Sequence, residues 1–197
     1  MSDKIILASQ SPRRRELLGM LGFKNLQIIP PDIDEVLPEN LPPGQAVSHM
    51  ALQKAASIKN KVGDSCLILA ADTIVVLDGK ALGKPDDEDE AADMLRSLSG
   101  RTHLVYTGVA LLQNGTELKD YEETKVSFRD ITDREIDFYI ASGEPMDKAG
   151  AYGAQGLGSL FISRIDGDFF NVVGLPLCRL GLMLNKMGIH IASYIAF

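Results

Sequence analysis

The stretch "CLILAADTIVVLDGKALGKP", Cys66–Pro85, decides the fold class. It opens as an apolar strand, Cys66–Ala71, that ends at Asp72. Asp78-Gly79 then falls between apolar segments, a strong signal for a two-residue hairpin. Upstream, a Pro-rich irregular section, "PPDIDEVLPENLPPG", leads into a helix predicted over 46–60. The chain begins with a strand at 5–8 and a helix at 12–21, with Ser11 as N-cap and Pro12 at the first helical position. Downstream, an acid-headed helix (87–98) stops at Gly100, and segments 102–112 and 117–128 flank Asn114-Gly115, a second hairpin signal. Thr132 and Glu135 form a capping box that opens a helix to about Ser142. A Gly-rich section, "DKAGAYGAQGLG", precedes a strand at 159–165 and a terminal helix starting near Pro176. Strands, helices and hairpins interleave, which predicts an α/β fold with a mixed sheet.

The 197 residues suit one domain, or one domain with two lobes. With 45% hydrophobic and 24% charged residues, the composition is that of a globular chain. No apolar run approaches the ~20 residues of a membrane span, and Ile5-Ile6-Leu7 is too short for a secretory signal. A cytoplasmic location without membrane partners is expected. The net charge of −7 argues against a general nucleic-acid binder, and the Arg13-Arg14-Arg15 cluster is a local exception that points to a small anion. Cys66 and Cys178 form no CxxC, and His49, His103 and His190 show no metal-ligand spacing, so neither zinc nor a disulfide is expected. Both cysteines lie in apolar stretches and are expected in the core.

Three arginines at a helix start oppose the helix dipole, each by roughly 0.3–1 kcal/mol. Free amides there form an anion site, and arginines add bidentate phosphate recognition. Successive helical residues rotate by ~100°, so Arg13 and Arg14 are candidates for one ligand, while Arg15 faces solvent or a carboxylate. In the helix at 46–60, Lys54 falls within the apolar stripe of Val47, Ala51 and Ile58, so it either snorkels out or meets an anion. Asp72 at a strand end needs a metal or a cation if buried, and strand ends are where α/β folds gather catalytic groups. Asp32, Asp34 and Glu35, brought together with Asp72, would suit Mg²⁺, which takes oxygen ligands plus phosphate and water. Lys84, in "GKP", is a further contact candidate. The glycines at 150, 153, 156 and 158 match neither familiar phosphate-loop pattern, but small residues let a planar ligand approach the backbone. Gln155 offers an amide suited to a base edge.

The segments "LASQSPRRRELL", "AADTIVV", "GKP", "EPMDKAGAYGAQG" and "GDFFNVVGLPL", in this order across almost the whole chain, resemble the Maf family of nucleoside triphosphate pyrophosphatases. The resemblance implies a single Maf/Ham1-like (inosine triphosphatase-like) domain over 1–197, with an elongated mixed sheet flanked by helices and two lobes around a central cleft. It implies hydrolysis of a nucleoside triphosphate to monophosphate and pyrophosphate with Mg²⁺ or another divalent ion such as Mn²⁺ or Co²⁺. Arg13, Arg14, Lys54 and Lys84 would hold the triphosphate, with Ser9 beside them. Glu35 and Asp72 would bind metal and activate water; Asp72 is the family's proposed proton acceptor, and the two carboxylates are open to trading roles. "DKAGAYGAQG" is similar to the branch acting on dTTP and UTP, whose specificity positions correspond to Arg13, Thr73 and Gln155. A Gln amide can donate to O4 and accept from N3–H of uracil or thymine, and cytosine reverses that pattern. Ala154 departs from the larger apolar residue common in the family. A homodimer is frequent in the family, which is also associated with arrest of septum formation and cell division. A non-catalytic nucleotide-binding regulator of cell division is the alternative.

Overall fold

The computed structural model describes residues 4–23, 25–38 and 40–193. In chain order the elements are β1 (Ile5–Ala8), α1 (Pro12–Met20), β2 (Leu26–Ile28), α2 (Pro43–Val62), β3 (Leu67–Leu77), β4 (Lys80–Leu82), α3 (Glu88–Leu98), β5 (Thr102–Gln113) and β6 (Thr116–Phe128). They continue with α4 (Asp133–Ala141), three short 3₁₀ turns (Glu144–Asp147, Ala149–Ala151, Leu157–Phe161), β7 (Ile162–Asp166), α5 (Phe169–Val173), α6 (Leu177–Lys186) and a last 3₁₀ turn, Ile191–Ser193. Seven strands form one sheet in the order β2-β1-β3-β5-β6-β7, with β4 beside β3. β1 runs parallel to β2 and β3, whereas β3–β4 and β6–β7 are antiparallel. The sheet is therefore mixed, as the hairpin signals require.

The chain divides into two compact units. The first comprises the residues up to Asp72, Thr107–Glu122 and the residues from Gly174 on; the second comprises Thr73–Tyr106 and Glu123–Val173. In the first unit β1 is buried along its whole length, as befits a parallel strand covered on both faces. Ile6, Ala8, Ile68, Ala70, Ala110 and Leu112 of the sheet pack with Ala51, Ala55 and Ile58 of α2. Gly108 allows α2 to lie directly on β5, because a Cβ there would sit 2.3 Å from the Val47 backbone. In the second unit Ala91, Leu95 and Leu98 of α3 share a core with Val105, Phe128, Ile136, Tyr139, Tyr152 and Phe161. Both predicted hairpins form: Asp78 and Gly79 have φ of 50° and 77°, and Asn114 and Gly115 repeat those values. Positive φ at both central positions is the requirement of a type I′ turn.

Several boundaries differ from the sequence reading. β3 runs through Asp72 to Leu77, because Ile74-Val75-Val76-Leu77 continues the strand and pairs with β4. α2 begins at Pro43, where proline's missing N–H is harmless in the first turn. β7 begins only at Ile162, since Leu157–Phe161 is a 3₁₀ turn in which the Ser159 amide donates back to the Gly156 carbonyl rather than to a ladder. β2 and α5 are short and carry no periodic signal. Cys66 is buried as expected, but Cys178 is exposed. It occupies the side of α6 away from Leu180, Met183 and Leu184, which face inward.

Candidate active site

Within the first unit, four elements converge on one charged cluster. β1 ends at Ala8, and Ser9 and Ser11 turn the chain into α1. Ser11 Oγ accepts from the Arg14 amide, and Ser9 Oγ accepts from the Ser11 amide at 3.1 Å. Arg14 is buried, with Nε donating to the Gly174 carbonyl at 2.8 Å and Nη1 to Ser9 Oγ at 3.3 Å. Burial lowers the proton affinity of this guanidinium; the charge of Asp72 opposes that, Arg13 adds to it, and Glu35 opposes it more weakly. Arg13 is half-buried and Arg15 exposed, as the 100° rotation predicts.

Asp72 lies two residues beyond the last β1–β3 pair, Ala8↔Ala70. Alternation along β3 places it on the face of Ile68 and Ala70, which pack on α2. From α2, Lys54 reaches Asp72 Oδ1 at 2.6 Å and Glu35 Oε1 at 2.8 Å. The lysine side chain is 5% exposed and Asp72 11%, whereas Glu35 is 50% exposed. The lysine in the apolar stripe therefore meets anions instead of snorkelling. Such a buried pair is costly to desolvate and is strongly destabilised when one partner is lost.

Of the acidic loop residues, only Glu35 joins this cluster. Asp32 and Asp34 are exposed, and no group of three His, Cys, Asp or Glu residues suited to a metal occurs among the described residues. Two carboxylate oxygens nevertheless converge on one cationic point, Lys54 Nζ. Carboxylate oxygens are the donor type that Mg²⁺ takes, one or two together with phosphate oxygens and water.

Thr73, Lys84 and Gln155 belong to the second unit. Thr73 is half-buried and, by alternation, lies on the β3 face of Val75 and Leu77, opposite Asp72. Lys84 and Gln155 are both exposed. Gly83, before Lys84, accepts at its carbonyl from the Gly150 amide at 2.9 Å.

The sequence reading did not identify the Gly174 carbonyl that holds Arg14. Gly174 lies in the segment "GDFFNVVGLPL", whose side chains carry no signal for a backbone acceptor. Within the second unit, Asn171 is fully buried, and its Nδ2 donates to the Val105 carbonyl at 3.0 Å and to Thr124 Oγ1 at 2.9 Å. No helix among the described residues is long and apolar enough to cross a membrane.

The chain matches the family model for Maf-like proteins over residues 4–187. It is 50% identical over 191 residues to a dTTP/UTP pyrophosphatase of Moorella thermoacetica, covering 96% of this chain and 97% of that one. It is 48% identical to a dTTP/UTP pyrophosphatase of Bacillus pumilus, covering 95% and 98%. A HAM1 protein from Coxiella burnetii has the same fold, with a TM-score of 0.51 at 19% identity over 93% of this chain and 98% of that one. With Maf-like sequence over nearly its whole length, a mixed α/β sheet and a buried Arg–Lys–carboxylate cluster, the chain belongs to the Maf family.

Proposed function

We propose that this protein hydrolyses dTTP and UTP to the nucleoside monophosphate and pyrophosphate. The observation that carries the reading is Lys54, buried and held between Asp72 and Glu35, with Arg14 buried in the electrostatic field of Asp72. A cluster of this kind offers cations for phosphate oxygens and a carboxylate for a proton. Relatives at 50% and 48% identity that bear the name dTTP/UTP pyrophosphatase support the substrate class. The net charge of −7 favours a free nucleotide over a polymer.

In this reading Asp72 takes a proton from a water whose oxygen attacks the α-phosphorus. The bond from that phosphorus to the bridging oxygen breaks, and pyrophosphate leaves with the electron pair. Arg13, Arg14, Lys54 and Lys84 balance charge on the triphosphate, which is where most of the barrier lowering in phosphoryl chemistry arises. Arg14 arrives already oriented, since Gly174 and Ser9 fix its head. Glu35 and Asp72 would hold Mg²⁺, Mn²⁺ or Co²⁺, which would supply further neutralisation of the phosphate oxygens. Gln155 would read the base edge, with Thr73 and Arg13 contributing to selectivity.

The test is pyrophosphate release from dTTP and UTP with Mg²⁺. Asp72→Asn is expected to cut the rate by about 10²–10⁴-fold, the range for losing a general base, with the folded circular dichroism retained. Nucleotide binding without pyrophosphate release by the unmodified protein would leave a non-catalytic regulator. A near-normal rate in Asp72→Asn would remove that residue from the chemistry.

A further inference from the structure

We propose that Glu144 and Tyr139 are positioning residues that set pyrimidine selectivity by fixing the loop that presents Gln155. The inference rests on the reading of Gln155 as the base-contacting amide. Everything it invokes lies in the second unit.

The loop runs from Gly153 to Gly158, with the exposed Gln155 side chain near its middle. Its backbone is tied on both sides of Gln155 to one hydroxyl–carboxylate pair. Tyr139 Oη donates to Glu144 Oε1 at 2.9 Å and accepts from the Gly153 amide at 3.1 Å. Glu144 Oε2 accepts from the Leu157 amide at 2.9 Å, and Oε1 from the Gly158 amide at 3.2 Å. Those two amides open the 3₁₀ turn Leu157–Phe161, where backbone donors otherwise go unpaired. Hydrogen bonds to an ionised acceptor are the strong kind.

The glycines of the loop are shaped around this pair. A Cβ on Gly156 would come within 2.7 Å of Glu144 Oε2, and one on Gly158 within 2.7 Å of Tyr139 Oη. Lys148 also supports the loop: its aliphatic stem lies against Gly153, and its ammonium donates to the Glu144 carbonyl and the Asp147 carboxylate. Tyr139 itself is immobilised in the core, with its ring edge-on to Phe161 at 5.1 Å. Burial raises the phenol's pKa, which keeps the hydroxyl a donor to Glu144. An exposed reading group gains precision only from a backbone that does not move, and this pair provides that restraint.

The chemistry implies that the clamp acts on selectivity and substrate affinity rather than on the phosphoryl step. In Glu144→Gln the new amide nitrogen would face a backbone N–H, so at least one restraint is lost. Tyr139→Phe keeps the packed ring and removes only the hydroxyl. Each variant is measured alone and combined with Gln155→Ala, reading kcat/KM for UTP and CTP, with amide exchange at Gly153, Leu157 and Gly158 as an activity-independent readout. The UTP:CTP ratio of kcat/KM is expected to fall about tenfold, the effect of one hydrogen bond to a charged group, mainly through a higher KM for UTP. Exchange at the three amides should quicken, and neither variant should lower the ratio further once Gln155 is alanine. An unchanged ratio and KM in both clamp variants, with Gln155→Ala collapsing the ratio, would reduce the pair to a structural brace and overturn the proposal. An unchanged ratio in Gln155→Ala itself would instead remove the base-contacting reading, and the proposal with it. Should Glu144→Gln fail to fold, Tyr139→Phe decides by the same ratio.

Discussion

Helices α1 and α3 begin in opposite ways. α3 is capped by Asp87, whose carboxylate accepts from the Glu90 amide at 2.8 Å, and its first turn carries Glu88, Asp89 and Glu90. Of its five buried residues, Ala91, Met94, Leu95 and Leu98 fall on one stripe, with Ala92 at its edge. Cap, dipole and periodicity all agree, and nothing about this helix asks for a ligand. α1 has a serine cap and Pro12 in place, but its first turn has no acid and Arg14 is buried. The local rule is broken by one buried guanidinium, held by a serine hydroxyl and a backbone carbonyl beside Asp72. Where every local preference agrees, a segment reports its fold; where one is overruled at a cost, it reports the site.

The largest effect on this contrast is expected from Lys54→Met, which keeps the stem in its apolar stripe and removes the charge. Asp72 then loses its 2.6 Å partner in a buried setting. Pyrophosphate release should fall by about 10²–10³-fold, the range for losing one preorganised charge stabiliser, and urea denaturation should show reduced stability. Reduced stability with near-normal turnover would make Lys54 a counter-ion of Asp72 alone, and the overruled rule would then be structural.

His103 provides the matching case of a buried ionisable group, set against the uncharged side chains of Tyr152 and Phe128. Its Nε2 shares a 2.8 Å hydrogen bond with Tyr152 Oη, and it packs edge-on against Phe128. Burial pushes its pKa down from 6.5 to about 4. The unfolded chain therefore binds the proton more readily, so the stability associated with neutral His103 is full above pH 6.5 and is lost as pH falls toward 4. The shift corresponds to about 3 kcal/mol at 1.36 kcal/mol per unit. Urea midpoints measured from pH 7 to pH 4 should show this loss in the wild type and a shallower one in His103→Leu. Parallel slopes would assign the acid sensitivity to the carboxylates instead.

How much was legible follows the same division. The hairpins, the capping box of α4 and the core face of α2 could be read because each depends on neighbours in sequence. The partition of Arg13, Arg14 and Arg15 followed from helical rotation alone. The charge at Asp72 was misread as the end of a strand, because only a distant lysine makes a carboxylate tolerable inside β3. Lys54, Asp72 and Glu35 each stood out, but their pairing did not, because Glu35 comes from an irregular loop with no period; the partner of Arg14, the Gly174 carbonyl, is an acceptor that every residue carries. The Glu144 clamp was hidden for the same reason, since three of its four hydrogen bonds involve backbone amides.

The smallest effects come from exchanging the two helix starts. Asp87→Ala removes a cap that obeys the rule and should cost about 1 kcal/mol in urea denaturation with unchanged pyrophosphate release. Arg15→Glu does the reverse on α1, replacing an exposed cation with the anion the dipole prefers. It should raise stability by about 0.3 kcal/mol and leave kcat/KM for dTTP as it was, because rotation turns Arg15 away from the face of Arg14. A fall in kcat/KM that fades as salt is added would give Arg15 a long-range role in attracting the triphosphate, since exposed charges act at that distance only when unscreened. The unfavourable charge of α1 would then serve the substrate along the whole first turn and beyond, not at Arg13 and Arg14 alone.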